Sequence, residues 1–249
     1  MFCFPQWHNK KCAVVLTYDD GYAQQLDNAL PVLDSMNLKA TFYLSPSFPA
    51  VNNRMDEWKK AATEGHELGN HTLYHPCVGN IAGREWVLPE NNLSQYTVRR
   101  MINEIKITNV FLKALDGKDK RTFAYPCGDT KVNDTPYIIP LKNNFVAARN
   151  VRNEMHTIDK INLYDVDCYT VNGNKAEQMQ QWVKQAMQTH SLLVILFHGV
   201  GGGNSLNVDV TEHSKFLHYL KQNEKDIWIA PMIDVAEYIK NYQAKNKMQ

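Results

Sequence analysis

Ala13 to Tyr18 (AVVLTY) runs straight into Asp19-Asp20-Gly21, and this stretch sets the reading of the whole chain. An apolar, β-branched run of this length reads as a buried strand. Two adjacent carboxylates at its end are expensive to bury unless they meet water, a metal or hydrogen-bond donors. On an extended chain adjacent side chains point apart, so the pair can serve different roles. Gly21 lets the chain turn sharply. Alone, the motif is equally the mark of an aspartate capping a turn or helix.

Outward from that strand the pattern alternates. Leu26, Leu30 and Leu33 recur at helical spacing, with Pro31 placed to break or kink the helix. Ala40 to Leu44 is a second strand, and a helix over Asp56 to Thr63 stops near Gly65. Pro76 to Asn92 reads as loop. Val98, Ile102, Ile105 and Leu112 predict a long helix ending before Asp116-Gly117. Thr122 to Tyr125, Phe145 to Ala148 and Val166 to Val171 read as strands. Asn174 and Glu177 resemble a capping box ahead of Met179, Trp182, Val183, Ala186 and Met187. Leu192 to Phe197 is the clearest buried strand; a helix marked by Phe216, Leu217 and Leu220, a strand over Ile227 to Ala230 and an amphipathic helix marked by Val235 to Tyr242 follow. About seven or eight strands alternating with helices predict a parallel sheet with helices outside, in a single domain over residues 1–249. Periodicity leaves open whether that sheet is a distorted barrel or a doubly wound open sheet.

Composition bounds the function. Lys+Arg total 27 against Asp+Glu 26, so no strong field favours nucleic acid or a membrane surface. No apolar run approaches the roughly 18 residues of a membrane span. Met1 to Lys11 lacks a basic start followed by an apolar stretch and does not read as a signal peptide. Nothing indicates a protein partner. The five cysteines (Cys3, Cys12, Cys77, Cys127, Cys168) are scattered without a CxxC pair and are expected to form no structural disulfide.

Two further polar clusters stand beside Asp19-Asp20. His71-Thr72-Leu73-Tyr74-His75 would, on a helix, place two imidazoles on one face, as a shared metal requires. His198-Gly199 ends the most buried strand. Two His and one Asp form an N,N,O set with positions open for water; a remaining carboxylate can act as base and another His as acid.

TYDDG at 17–21, HTLYH at 71–75, Ala124-Tyr125-Pro126-Cys127-Gly128 and the strand ending in His198 resemble, in order, motifs of the polysaccharide deacetylases, the NodB-homology or carbohydrate esterase family 4 domain. Glu64 to Asn70 (EGHELGN) is similar to the stretch that precedes the second of these motifs. The resemblance covers roughly residues 12–240. It implies an α/β fold, a distorted (β/α) barrel of seven or eight mostly parallel strands. It implies a divalent metal, zinc above all, held by Asp20, His71 and His75, with Asp19 as base, His198 as acid and the backbone near Cys127 holding the oxyanion. Tyr125 and Pro126 belong to the same oxyanion or substrate motif. The implied reaction is hydrolysis of an N- or O-acetyl group on a sugar; a metal amidase on a small amide such as a cyclic imide, and a non-catalytic sugar-binding relative, are the rivals. The chain departs from the family in two places. Ala124 stands where the third motif carries an Arg, and the fourth motif is represented only by Asp165-Val166-Asp167-Cys168-Tyr169, without Trp. Arg149, at the end of a predicted neighbouring strand, is expected to replace the missing Arg beside Asp19 or to bind substrate, and Asp165 or Asp167 to orient His198. Trp86 and Tyr74 could stack on sugar or belong to the core.

Overall fold

The computed structural model describes residues 7–246. The opening strand, β1 (Cys12–Asp20), is buried along its whole length and stands at the centre of a nine-stranded sheet. The main path of that sheet runs through seven strands: Ala148–Arg149, β4 (Phe123–Ala124), β3 (Glu67–Asn70), β2 (Thr41–Leu44), β1, Ser191–Phe197 and His156–Thr157. Ile227–Ile229 pairs with the first half of β1, and Tyr169–Thr170 with the strand Ser191–Phe197. Among the described residues, only His156–Thr157 joins this sheet antiparallel. Arg149 bridges Val166, with Asn150 N–H donating to Val166 O at 2.7 Å. The segment from Val166 to Thr170 therefore links one sheet edge to the other, and the sheet curls into a distorted barrel.

The period-2 alternation of β1 divides its side chains between two layers. Val14, Leu16 and Tyr18 face a core shared with Leu33, Trp58, Val183 and Leu217, which come from the outer helices α1 (Leu30–Ser35), α2 (Met55–Thr63), α3 (Ala176–Thr189) and α4 (Val210–Gln222). Ala13 and Val15 face inward with Val194, Leu196 and Val166, where Val235, Ala236 and Ile239 of the last helix, α5 (Met232–Asn246), join them. Glu67 holds that helix start. Its buried carboxylate accepts from Ile233 N–H (2.9 Å), Thr41 Oγ1 (2.8 Å) and Thr122 N–H (2.8 Å). By the same alternation Asp19 falls on the inward side, at the carboxyl end of the barrel.

Several local expectations need correction. The helix over Leu26 to Leu33 passes through a π-helical turn, Gln25–Ala29, and is α-helical from Leu30, one residue before Pro31. The wider π turn falls directly ahead of the position where proline removes a backbone donor. The box before α3 sits one residue later than the sequence suggests: Lys175 N–H donates to Gln178 Oε1 at 2.8 Å, while Asn174 accepts from Asn172 N–H. The strands read over 145–148 and 166–171 shrink to Ala148–Arg149 and Tyr169–Thr170, because the chain bends too sharply for a long ladder. Among the described residues no helix is long and apolar enough to cross a membrane.

The expectation of no structural disulfide is overturned: Cys77 and Cys127 are bonded, with Cα atoms 5.8 Å apart and a sequence separation of 50. The two loops meet only because both cross the barrel mouth. Cys12 and Cys168 are free and buried, and burial pushes the Cys168 thiol up to about 11. Cys3 lies outside the described residues.

Candidate active site

At the end of β1 the pleat breaks. Asp20 adopts φ 75° and Gly21 φ 82°. A Cβ at Gly21 would press into Val51, so the turn requires glycine. This left-handed step ends the alternation that would have parted the two carboxylates. Both now reach one imidazole: Asp19 Oδ2 lies 3.6 Å and Asp20 Oδ1 3.5 Å from His71 Nε2.

His71 to His75 is not a helix; Thr72 (φ 65°) and His75 (φ 52°) are left-handed. Polar local bonds hold this loop instead, with Thr72 N–H donating to Asn70 Oδ1 (2.9 Å) and His75 N–H to Thr72 Oγ1 (3.0 Å). The two imidazoles nevertheless converge, with ring centroids 4.7 Å apart, and His75 Nε2 lies 3.3 Å from Asp20 Oδ1.

The donor chemistry of this trio fits a metal. The neutral His71 ring is set by Nδ1–H donating to Ala124 O at 2.9 Å, which leaves the lone pair of Nε2 facing Asp20 Oδ1. Asp20 Oδ1 is buried without a hydrogen-bond partner. A metal cation held between these opposed lone pairs would satisfy them. Spacings of 3.3 and 3.5 Å match the edge of a tetrahedron whose ligands sit about 2.0–2.2 Å from zinc. Electrostatics agree. Burial pushes the Asp20 carboxyl up, but the imidazoles of His75, His71 and His198 outweigh it and hold it well below the usual carboxylate range. Burial lowers His71 also, yet the charges of Asp19 and Asp20 leave its pKa raised; burial, aided by the neighbouring imidazoles and only partly opposed by Asp20, takes His75 down to about 4.

Arg149 stands beside Asp19 as its position on the sheet led one to expect. The guanidinium is fully buried, donates through Nη2 to Asp19 Oδ2 and through Nη1 to Asn150 O (3.0 Å), and faces the Tyr43 ring at 5.2 Å. The other oxygen, Asp19 Oδ1, has no hydrogen-bond partner. His198 opens onto the same cavity, and its Nδ1 is buried without a partner. The expected orienting carboxylates are engaged elsewhere: Asp167 binds His156 (2.8 Å) and Arg152 (2.7 Å), and Asp165 binds Asn150 (2.7 Å) and Arg152 (2.9 Å). The expectation that Asp165 or Asp167 orients His198 is corrected: Asn150, Arg152 and His156 engage both carboxylates.

Sequence reasoning passed over Gln25. Its buried amide donates to the carbonyls of Asp19 (2.6 Å) and His198 (2.9 Å), clasping the ends of two strands. No pattern marks it beyond its place in the π turn, a local irregularity common at functional sites. The surrounding cavity, about 620 Å³, is lined by Asp19, Asp20, His71, His75 and His198 together with Tyr22, Phe48, Trp86, Tyr125, Cys127 and Asn204. The Tyr125 hydroxyl is engaged with Tyr164 O (2.9 Å), and Pro126 is buried in the adjoining turn. Cys127 is left-handed at φ 56° and tied by its disulfide to the residue two beyond His75.

With this geometry the comparisons agree. The chain matches the polysaccharide deacetylase family over residues 8–138, more than half its length. It is 27% identical over 171 residues to the peptidoglycan-N-acetylglucosamine deacetylase of Bacillus cereus, covering 66% of this chain and 51% of that protein. It is 30% identical over 105 residues to the uncharacterized protein YlxY of Bacillus subtilis, covering 42% of this chain and 28% of that protein. The chain thus spans about half or less of the length of these relatives. Its fold is similar to that of a putative polysaccharide deacetylase from Mycobacterium smegmatis (TM-score 0.64, 12% identity, 94% of this chain and 92% of that one). It is also similar to a CE4 family pseudoenzyme from Bacillus anthracis (TM-score 0.55, 16% identity, 92% and 66%). By its motifs, its barrel and the family match, this chain belongs to the polysaccharide deacetylase family.

Proposed function

We propose that this chain is a metal-dependent hydrolase that removes N- or O-linked acetyl groups from a carbohydrate polymer or oligosaccharide. The observation that carries the reading is one cavity holding a cation-ready Asp20–His71–His75 trio, a fixed but half-free Asp19, and His198. Asp20, His71 and His75 would hold a divalent cation, zinc by its donors, whose contribution is Lewis-acid polarisation of the acetyl carbonyl and acidification of water. Arg149 fixes Asp19 through Oδ2, which leaves Oδ1 to take the proton of the attacking water. His198 protonates the departing amine or alkoxide. The Cys127 backbone N–H, in its tight turn, donates to the oxyanion. Gln25 holds base and acid at a fixed separation through their carbonyls.

A relative of this fold is a pseudoenzyme. Against that state here, base, ligands and acid all line one cavity. The test is acetate release from acetylated xylan, chitin and peptidoglycan fragments, with a cyclic imide for the amidase rival, across a series of divalent metals. Release from a carbohydrate that is abolished in Asp19→Asn, with metal still bound, supports the reading. Turnover of the imide alone would overturn it.

A further inference from the structure

The disulfide at the barrel mouth lies against one member of the metal-binding trio. Cys77 Sγ is 3.6 Å from His75 Nδ1, while the other ring nitrogen, Nε2, faces Asp20 Oδ1 at 3.3 Å. Cys127, bonded to Cys77, lines the cavity beside His75. One imidazole nitrogen and two sulfurs therefore fall within 4.8 Å of one another. The S–S bond is not all that brings them together. Val78 N–H donates to Asp129 Oδ2 (2.8 Å), and the Arg84 guanidinium donates to Asp129 Oδ2 (2.5 Å) and to Cys127 O (2.9 Å). The Cys77 backbone is pinned as well, its N–H donating to Asn91 O (3.2 Å) and its carbonyl accepting from Leu93 N–H (2.8 Å). None of these bonds involves sulfur, so opening the disulfide leaves both thiols beside the imidazole.

We propose that in the reduced chain Cys77, Cys127 and His75 Nδ1 form a second metal site, which takes a thiophilic cation, zinc or copper(I), and competes with the Asp20–His71–His75 trio for His75. Only the competition rests on the metal reading proposed above. Two thiolates and an imidazole are a softer set than the carboxylate-bearing trio. Zn–S near 2.3 Å and Zn–N near 2.0–2.1 Å give a tetrahedral N···S edge of about 3.5 Å, which the spacing of 3.6 Å meets. The two sulfurs need an edge of about 3.8 Å, within reach of side chains whose Cα atoms are 5.8 Å apart. Loading takes two steps. A dithiol passes two electrons and two protons to the Cys77–Cys127 bond, which breaks to two thiols while the dithiol's own sulfurs join. The ion then displaces the two thiol protons to solvent. A neutral imidazole has one lone pair to give. With Nδ1 on the ion, the ring proton sits on Nε2 and donates to Asp20 Oδ1, so His75 is lost to the trio.

The test titrates cobalt(II) into the full chain without oxygen, with the disulfide intact or opened by a water-soluble phosphine. The readout is the near-ultraviolet charge-transfer band of thiolate bound to cobalt. The band is expected in the reduced chain alone, and in Cys77→Ser/Cys127→Ser it should vanish although Cys3, Cys12 and Cys168 remain. His75→Ala should keep the band and weaken cobalt binding at least tenfold. Circular dichroism checks the fold of each variant, and the oxidised-against-reduced comparison in the native chain stands without them. No band on reduction, a band that survives the double serine variant, or cobalt binding indifferent to His75→Ala overturns the site. The reduced chain should hold one equivalent of cobalt tightly; two would overturn the competition. Calorimetry with zinc on the oxidised chain reads the trio separately: no binding there overturns the metal reading and leaves the charge-transfer result to decide the second site.

Discussion

Replacing Arg149 with Met tests the reasoning about the base most directly. Both partners of the Arg149–Asp19 pair are buried, at 0% and 2% exposure. Removing the guanidinium leaves the buried Asp19 carboxylate without an arginine partner, with His71 Nε2 3.6 Å away. Breaking a buried pair from one side costs about 3–5 kcal/mol. Little else is lost: the Asn150 carbonyl keeps the Cys168 thiol at 3.2 Å, and Arg149 Nε has no partner to lose. Asp19→Asn should lose a similar amount by orphaning the guanidinium. The double variant removes both charges, so its loss should fall short of the sum by at least about 2 kcal/mol. The assay is urea unfolding of all four proteins in chelator, so that metal binding does not contribute. Additivity within about 0.5 kcal/mol would refute the pairing. In the metal-loaded enzyme the unheld base should cost about 10²-fold in kcat/KM, and Arg149→Lys should not restore it, since a compact ammonium cannot bridge Asp19 and the Asn150 carbonyl.

Asp20→Asn and His75→Ala should each weaken zinc binding at least tenfold by calorimetry, whereas Asp19→Asn should leave zinc bound; equal losses in all three would contradict the division of roles. Denatured protein should show two more thiols after reduction than before, and Cys77→Ser/Cys127→Ser should lose roughly 4 kcal/mol by the chain entropy of a loop of 50 residues; an unchanged thiol count would rule the cross-link out. Acid stability should depend on His213, whose Nε2 accepts from the Tyr18 hydroxyl at 2.7 Å and whose pKa burial takes down to about 3. The unfolded chain protonates this ring near pH 6.5 and the folded one only near 3, so stability should fall between those values by about 1.4 kcal/mol per pH unit. His213→Gln keeps an acceptor for Tyr18 and should flatten the slope by about one proton.

The parts of the molecule legible from sequence are those where one residue's environment repeats along the chain. Ala13 to Tyr18 and Leu192 to Phe197 are buried on both faces, so continuous apolar runs announce them. Arg149 was legible because neighbouring parallel strands deliver their carboxyl ends to one side. What escaped depends on single irregular residues or distant pairing. The histidine loop has the right spacing but the wrong backbone, since Thr72 and His75 turn left-handed where a helix was imagined. Cys77 and Cys127 each lie on or just past a motif, two residues after His75 and inside the third cluster, and that proximity to the site was the available signal for their pairing. Asp165 and Asp167 follow Arg152, a contact set by the short bridged strands rather than by any periodicity.

Asp20, Thr72, His75 and Cys127 share a backbone that side-chain-bearing residues ordinarily avoid. Each such residue stores on the order of 1–3 kcal/mol, returned by the scaffold around it. The mouth of the barrel is therefore its least economical region, and selection for thermal robustness alone would press on it first. Glycine at Thr72 would relax the backbone while releasing the His75 N–H bond, whereas at Cys127 the lost cross-link outweighs the relief. A library screened for heat tolerance should accordingly enrich stabilised, inactive variants at Asp20, Thr72 and His75 but not at Cys127, whereas one screened for turnover should leave all four untouched and find its gains on the outer helices.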